Sequence, residues 1–121
     1  MIKASELGKL GEKIAAEELA FNGYRILTKN FFYNRNEVDI ICEHDGKIVF
    51  VEVKTRMSAY LSDASLLVPI SKQKQIIKVA DYFLKEFHPE KEARFDIVIV
   101  VTNSQYTKIE HIVDAFYPMG G

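Results

Sequence analysis

Two charged side chains interrupt an apolar run near the middle of this sequence. The run, KIVFVEVKTR over residues 47–56, has five Ile, Val or Phe residues among its first seven and is broken by Glu52 and Lys54. Residues two positions apart project from the same face of a strand. The pattern therefore predicts a strand with core on both faces that also carries an acid and a base side by side.

A second acid is expected opposite Glu52. The sequence HDGK before the apolar run favours a two-residue hairpin turn, which pairs the run antiparallel with the preceding EVDIICE. In that register Asp39 faces Glu52 directly, with Cβ atoms about 4.5–5.5 Å apart. Lys54 follows on the same face and lies opposite Glu37.

Two carboxylates that face each other need a compensating partner. Like charges directly opposite in a sheet are destabilising, and more so where burial removes their water. Either one acid holds a proton, its pKa raised by the other charge, or a divalent cation bridges both. Carboxylate oxygens suit Mg²⁺ or Mn²⁺, and Lys54 is placed to stabilise an oxyanion or to orient a water. The alternative is an ordinary acid–base pair on an exposed sheet face.

The composition limits the classes of protein to which the chain can belong. Its 121 residues suit a single domain over residues 1–121, and no run approaches the roughly 20 apolar residues of a membrane span. The net charge of −1 excludes a global basic field, although residues 54–94 carry eight basic and five acidic side chains. The single cysteine, Cys42, excludes a disulfide framework, and the N-terminus lacks the apolar core of a signal peptide. These features predict a cytoplasmic protein.

The hydrophobic periodicity predicts two helices and five strands. A helix capped by Ser5 comes first, followed by three strands, a helix capped by Ser71, a nearly all-apolar strand and a shorter last strand. The second helix is long enough to act as a crossover, which makes the third and fourth strands parallel. The expected fold class is α/β, a mixed central sheet with flanking helices whose core runs from about residue 5 to residue 116.

These residues carry a family resemblance. Asp39 followed by Glu52-Val-Lys54 resembles the signature of the PD-(D/E)xK nucleases, in which the two acids bind a metal ion and the lysine helps to activate water. A longer ordered set of segments, from Gly8 to Phe116, is similar to the YraN-like family of predicted endonucleases: GKLGEKIAAEEL, GYRIL, NEVDIICEHDGKIVFVEVKTR, KQKQIIKVADYFL, RFDIVIV and IEHIVDAF. The resemblance implies a restriction-endonuclease-like fold with an α-β-β-β-α-β core.

The same resemblance implies a site, a cofactor and partners. Related archaeal Holliday-junction resolvases act as dimers and add a glutamate of the first helix to the metal site, and Glu12 matches that glutamate. The implied catalytic residues are Asp39, Glu52, Lys54 and Glu12, with the three acids holding Mg²⁺ or Mn²⁺. The implied substrate is DNA, branched or otherwise structured, and the implied assembly is a homodimer. The chain departs from the family at Asn36, where a glycine is usual and where Asn tolerates a positive φ, and in the loop MSAYLSDASLLVP.

A cationic helix start is the candidate nucleic-acid contact. A helix N-terminus that carries lysines favours phosphate, and the second helix opens with Lys72, Gln73 and Lys74. Gln73 matches the KQ of the family, and Arg56 and Lys78 would extend a phosphate-binding track. Each of the five has an alternative as an ordinary surface side chain.

Three functions remain open from the sequence. The first is a divalent-metal-dependent endonuclease that hydrolyses phosphodiester bonds of DNA. The second is a non-catalytic nucleic-acid-binding or assembly module on a nuclease fold. The third is a dimeric structural protein joined through apolar side chains of the 57–70 loop: Tyr60, Leu61, Leu66 and Leu67.

Overall fold

The described part of the protein is one mixed sheet with a helix on each face. The computed structural model describes residues 2–58 and 68–118. In chain order the elements are helix α1 (Ala4–Phe21), strands β1 (Arg25–Tyr33), β2 (Asn36–His44) and β3 (Lys47–Arg56), helix α2 (Ile70–Phe87), and strands β4 (Ala93–Thr102) and β5 (Thr107–Phe116). The strands lie in the order β1-β2-β3-β4-β5, and only the β3–β4 pair is parallel. The predicted α/β fold class is confirmed, and the architecture is compatible with a restriction-endonuclease-like fold.

The two helices bury different sets of strand side chains. Leu19 of α1 packs with Val49 and its neighbours on one face of the sheet, termed here the α1 face. Phe83 of α2 packs with Ile41 and Phe50 on the other, the α2 face. Because both faces are covered, the central strands are apolar on both sides. The prediction of a two-sided core around KIVFVEVKTR is therefore confirmed.

The β2–β3 turn has the predicted geometry. Asp45 and Gly46 both have positive φ, 52° and 75°, which is the requirement of a two-residue hairpin turn of the primed type. His44 pairs with Lys47 across it. The hairpin register derived from the sequence therefore holds at this end of β2 and β3.

The β1–β2 turn is formed by the two residues that directly precede Asn36. Positive φ occurs at Asn34 (50°) and Arg35 (68°), whereas Asn36 begins β2 and pairs with Tyr33. The turn therefore does not use the positive φ that asparagine would tolerate at position 36. A two-residue hairpin needs the left-handed conformation at both of its central residues, and pairing with Tyr33 draws Asn36 into the ladder.

The helix starts also differ from the predicted caps. α1 has Lys3 as its N-cap and α2 has Pro69, and neither is capped by a side-chain hydrogen bond. Ser5 and Ser71 lie inside the first turns, so the prediction that they cap the helices was wrong. Neither helix of the described residues is long and apolar enough to cross a membrane.

A buried glycine lets α1 approach β3. A Cβ atom built on Gly11 would lie 1.9 Å from Thr55 Oγ1 and 2.6 Å from Thr55 Cγ2. Such contacts are far below any van der Waals separation, so only glycine fits at this point of α1. The next residue, Glu12, is one of the candidate metal ligands, and Gly11 therefore sets how near that carboxylate comes to the sheet.

Candidate metal centre

The β2–β3 ladder ends just before Asp39, and the Asp39 side chain continues the contact. Cα pairing between the strands stops at Ile40–Val51. One residue further, Asp39 Oδ2 accepts a hydrogen bond of 2.8 Å from the backbone amide of Val53. The prediction that Asp39 pairs directly with Glu52 in the ladder was therefore wrong. Instead, the Asp39 carboxylate accepts a hydrogen bond from the backbone of β3 at the residue after Glu52.

Alternation along β2 is interrupted at this point. Val38 and Ile41 both pack on the α2 face, whereas Ile40 packs on the α1 face. Three positions separate Val38 from Ile41, so regular alternation would have put them on opposite faces. The strand therefore changes phase around Asp39, and this change lets its carboxylate turn toward β3.

Asp39, which is half-buried, and Glu52, which is buried, form a carboxyl pair. Burial raises the pKa of Asp39 to about 8, aided by the negative charge of Glu52 and a hydrogen bond between the two carboxyl groups, against the lowering effect of the Val53 amide. Glu52 is only 8% exposed, and its Oε1 is buried without a hydrogen-bond partner. In the metal-free protein, a proton held on Asp39 therefore relieves the repulsion between the two acids.

Glu12 approaches the same region from α1. It is half-buried, and its Oε1 accepts a hydrogen bond of 2.9 Å from Asn30 Nδ2 of β1. Asn30 itself has a φ of 52°, a left-handed conformation that asparagine adopts more readily than most residues. The negative charge of Glu12 also contributes to the raised pKa of Asp39, so three acids share one electrostatic environment.

Lys54 and Glu37 complete the predicted set. Lys54 is half-buried and pairs with Ile99 of β4, two residues beyond Glu52 on β3. Glu37 is half-buried and pairs with Phe32 of β1. Since Cα pairing between β2 and β3 ends at Ile40, the ladder does not bring Glu37 opposite Lys54.

The donor set fits a hard divalent cation in an open site. Two carboxylates with an unpartnered buried oxygen, Glu52 Oε1, are the ligands that Mg²⁺ and Mn²⁺ prefer. Within residues 2–58 and 68–118, no three His, Cys, Asp or Glu side chains converge closely enough to enclose a metal ion. Mg²⁺ usually keeps several waters and takes only one or two protein carboxylates, so the pair Asp39 and Glu52 meets its minimum requirement.

The five predicted nucleic-acid contacts differ in their exposure to solvent. Lys74 and Lys78 are exposed, whereas Lys72, Gln73 and Arg56 are half-buried. Gln73 Nε2 donates a hydrogen bond of 2.8 Å to the Val68 carbonyl, and Arg56 Nη1 donates one of 2.7 Å to the Thr55 carbonyl. Both side chains therefore support the local backbone. The predicted apolar contacts Tyr60, Leu61, Leu66 and Leu67 lie outside the described residues.

A second buried polar cluster lies on the α1 face and is centred on Asp96. Arg94 contacts both carboxylate oxygens, at 2.9 and 2.7 Å, while His111 Nε2 lies 2.7 Å from Oδ2 and the Asp114 amide donates to Oδ1 at 3.0 Å. Burial opposes the charge, but these hydrogen bonds outweigh it and hold the pKa of Asp96 below its usual value. Arg94 also donates to the Tyr24 hydroxyl at 2.7 Å. The cluster joins β4 to the edge strand β5: Arg94 and Asp96 lie two residues apart on one face of β4, whereas His111 and the Asp114 amide come from β5.

Comparisons with other proteins place the chain in a family. A model described as "Uncharacterised protein family UPF0102" matches residues 11–100. A UPF0102 protein of Christiangramia forsetii is 38% identical over 117 residues, covering 97% of this chain and 98% of its own. One of Flavobacterium johnsoniae is 40% identical over 121 residues, with 97% and 98% covered. The chain belongs to the UPF0102 family.

The UPF0102 match contains the whole candidate centre. Residues 11–100 include Glu12, Asp39, Glu52 and Lys54, and they end inside β4. The predicted YraN-like resemblance is thereby confirmed at the level of the family. A UPF0102 protein of Bacteroides thetaiotaomicron, 36% identical over 118 residues, likewise covers 98% of both chains, so the similarity extends along the entire fold.

Removal of the Asp39 charge is expected to alter how stability depends on pH. An unfolded Asp ionises near pH 4, whereas folded Asp39 keeps its proton to about pH 8. Unfolding between these values releases a proton, so this group makes the metal-free protein less stable as pH rises from 4 to 8. Asp39→Asn has no ionisable group at this position and lacks this penalty. As the pH rises from 5 to 8, its free energy of unfolding should therefore increase relative to that of wild type by at least about 1.4 kcal/mol, the equivalent of one pKa unit.

Urea denaturation in EDTA at the two pH values measures this gain. The asparagine retains an oxygen for the Val53 amide, so the comparison isolates the charge. Adding Mg²⁺ or Mn²⁺ at pH 8 should stabilise wild type and leave Asp39→Asn unchanged. Parallel pH dependence in the two proteins would contradict the buried carboxyl pair.

Proposed function

We propose that this protein is a divalent-metal-dependent endonuclease that hydrolyses phosphodiester bonds of DNA. The observation that carries the proposal is the carboxyl pair of half-buried Asp39 and buried Glu52, in which Glu52 Oε1 has no hydrogen-bond partner. Two desolvated acids are costly to a fold, and a bound divalent cation offsets that cost. The arrangement also supports the implied membership in the PD-(D/E)xK nucleases, since Lys54 follows Glu52 on the same strand.

Each residue of the centre has a definite role in this proposal. Asp39 and Glu52 would hold Mg²⁺ or Mn²⁺, with Glu12 as a further carboxylate beside them. When bound, the ion supplies Lewis-acid stabilisation of the phosphoryl group and lowers the pKa of a water. The Val53 amide fixes the orientation of the Asp39 carboxylate through its 2.8 Å hydrogen bond. The Lys54 ammonium would donate hydrogen bonds to the attacking water or to the negative charge that develops on the phosphate.

The charge distribution favours a structured substrate over tight indiscriminate binding. The net charge is −1, so little affinity is expected from a general field around the protein. The lysines gathered at the start of α2 supply local phosphate contacts. Branched or otherwise structured DNA, as the family resemblance implies, presents several backbones to such a local cationic surface, and a homodimer would present two such surfaces.

A non-catalytic nucleic-acid-binding module is the second candidate. The observation that favours it is the lack of three converging ligand side chains within the described residues. A fold that retains the carboxyl pair but binds no ion would still present the lysines of α2 to phosphate. The two candidates differ in one measurable property, the dependence of DNA cleavage on Glu52 and Asp39.

A cleavage assay separates the candidates. Purified protein is incubated with linear, nicked, flap and four-way-junction DNA in Mg²⁺, Mn²⁺ or EDTA. We expect cleavage of at least one structured DNA with metal and none in EDTA. Glu52→Gln and Asp39→Asn should each lower the cleavage rate at least about 100-fold. The loss of a metal ligand reduces activity more than the loss of a residue that only hydrogen-bonds to a ligand.

The matched control is Glu17→Gln, which removes an exposed carboxylate on the outer side of α1. It should cleave like wild type. Cleavage that persists in Glu52→Gln or Asp39→Asn would indicate a contaminating nuclease and exclude the proposed centre. Binding to the same DNA without cleavage in either metal would establish the binding module instead.

A further inference from the structure

A continuous groove runs along the outer side of α2. Two depressions, of about 280 and about 690 Å³, adjoin each other and share Ile77, Lys78 and Pro118 as lining residues. The first extends to Ile70 at the start of α2, and the second extends to Tyr33 at the β1–β2 turn. The two together, termed here the α2 groove, follow most of the length of the helix.

The start of this groove is cationic. From Ile70 to Ala80, α2 carries three lysines and no acid, and the described residues lining the first depression include Lys74 and Lys78 but no carboxylate. The helix N-terminus adds partial positive charge at the same end. Further along, the second depression is lined by two acids, Asp81 and Glu86, and Asp81 pairs with Lys85 at 3.1 Å. The start of the groove, in a protein of net charge −1, is therefore the part that is complementary to a polyanion.

Aromatic rings lie at both ends of the groove. Tyr33 and Tyr82 are stacked, with ring centroids 4.1 Å apart and an angle of 10° between their planes, and both line the second depression. Tyr117 lines the first and is 63% exposed. Tyr33 and Tyr82 are half-buried. A groove that combines lysines with aromatic rings is typical of sites for single strands, whose unpaired bases stack on the rings while the backbone meets the cations. A duplex keeps its bases inside and offers no such stacking.

The groove begins at the same end of the sheet as the candidate metal centre. β3 and β4 are parallel neighbours joined through α2, so α2 must run back against their direction. Its first turn therefore lies at the end of the sheet where β3 finishes, past Glu52 and Lys54. A DNA strand that follows the groove toward Ile70 therefore approaches that end of the sheet.

We infer that the α2 groove binds an unpaired segment of DNA, with phosphates at Lys74 and Lys78 and bases against the Tyr33–Tyr82 pair. Only the idea that the groove guides this segment to a cleavage centre rests on the proposed endonuclease function. The binding itself does not. The substrate class that follows is DNA in which a duplex adjoins a single-stranded arm, such as a flap or a splayed junction.

Fluorescence anisotropy with a labelled 20-nucleotide oligo(dT), in EDTA and at about 0.1 M salt, where charges far from the groove are screened, tests the groove without cleavage. Lys74→Glu with Lys78→Glu should weaken binding at least about tenfold and reduce its salt dependence, because two phosphate contacts are lost. Both lysines are exposed, so the fold is not at risk. Lys9→Glu with Lys13→Glu, two exposed lysines of α1, makes the same change in net charge and should alter binding less than about threefold.

Tyr82→Ala provides a second variant that leaves the charge unchanged. It should weaken oligo(dT) binding about fivefold or more and duplex binding much less, because only unpaired bases stack. Phe21→Ala, at a ring 88% exposed on α1, is its control. Failure of wild type to bind oligo(dT), or equal losses in the α1 and α2 lysine variants, would overturn the inference. Wild type that binds oligo(dT) in EDTA through the α2 lysines but cleaves no DNA in Mg²⁺ or Mn²⁺ would exclude the endonuclease and retain the groove, so the two failures are distinguished.

Discussion

Asp96→Asn is expected to lower the free energy of unfolding by about 3–5 kcal/mol, the usual cost of removing one partner of a buried ion pair. Asp96 is fully buried, and the side chain of Arg94, which contacts both of its oxygens, is only 10% exposed. The variant leaves the guanidinium without a counter-charge in a site that water reaches poorly. It also weakens the contacts of Asp96 with His111 and the Asp114 amide, which tie edge strand β5 to β4.

Urea denaturation followed by circular dichroism measures the loss, and Tm should fall by at least about 10 °C. Asp81→Asn removes a carboxylate from an exposed i,i+4 pair and should change stability by less than about 0.5 kcal/mol. Hydrogen exchange adds a local measurement, since amides of β5 should lose more protection than those of β2. Equal effects of the two Asp→Asn variants would mean that the Asp96 cluster does not hold the fold together.

Gly11→Ala is expected to destabilise the protein by about 1–3 kcal/mol, although alanine is the better helix former. The new Cβ would meet Thr55 Oγ1 at 1.9 Å, so α1 must move away from β3 or Thr55 must leave its rotamer. Gly8→Ala is a control of the same chemistry, because nothing lies within 4 Å of a Cβ built there. It should stabilise the protein by roughly 0.5–1 kcal/mol. The two Gly→Ala changes on one helix should therefore have opposite signs.

Chemical denaturation of both variants checks the signs, and a double-mutant cycle identifies the contact. Thr55→Gly removes the three atoms nearest to the new Cβ, so Gly11→Ala should cost much less in that background than in wild type. If Gly11→Ala proved neutral or stabilising, the close approach of α1 to β3 would be refuted. If the proposed function is correct, the displaced helix also moves Glu12 from the carboxyl pair, and cleavage should fall further than stability alone explains.

Local sequence signals were sufficient for most of the fold. The alternation in residues 37–43 and 47–55, with the hairpin dipeptide Asp45-Gly46 between them, predicted β2, β3 and their register at the turn. The apolar run around residue 98 predicted the central strand β4, because only a strand covered on both faces is apolar throughout. The helical spacing before it predicted the parallel crossover. These features depend on residues near one another in the chain, so the sequence alone contains them.

Positions that depend on distant contacts could not be read in the same way. The sequence placed Ser5 and Ser71 at helix caps, but the N-caps are Lys3 and Pro69. Asn36 lies outside the turn because it pairs with Tyr33 in the ladder. His111 gave no spacing signal, since its partner Asp96 is fifteen residues away on a neighbouring strand. Gly11 looked like any helical glycine until Thr55 was known to lie against it.

The candidate metal centre shows most clearly which features local sequence predicts and which depend on distant contacts. The sequence by itself determined that Asp39, Glu52 and Lys54 stand on neighbouring strands near one end of a hairpin, because alternation and turn chemistry are local properties. Only the tertiary structure decided that pairing ends at Ile40, that the Asp39 carboxylate bonds to the Val53 amide, and that burial raises the pKa of Asp39 to about 8. Those properties depend on a change of phase in β2 and on the helix and strands that exclude water, which no single stretch of the chain encodes.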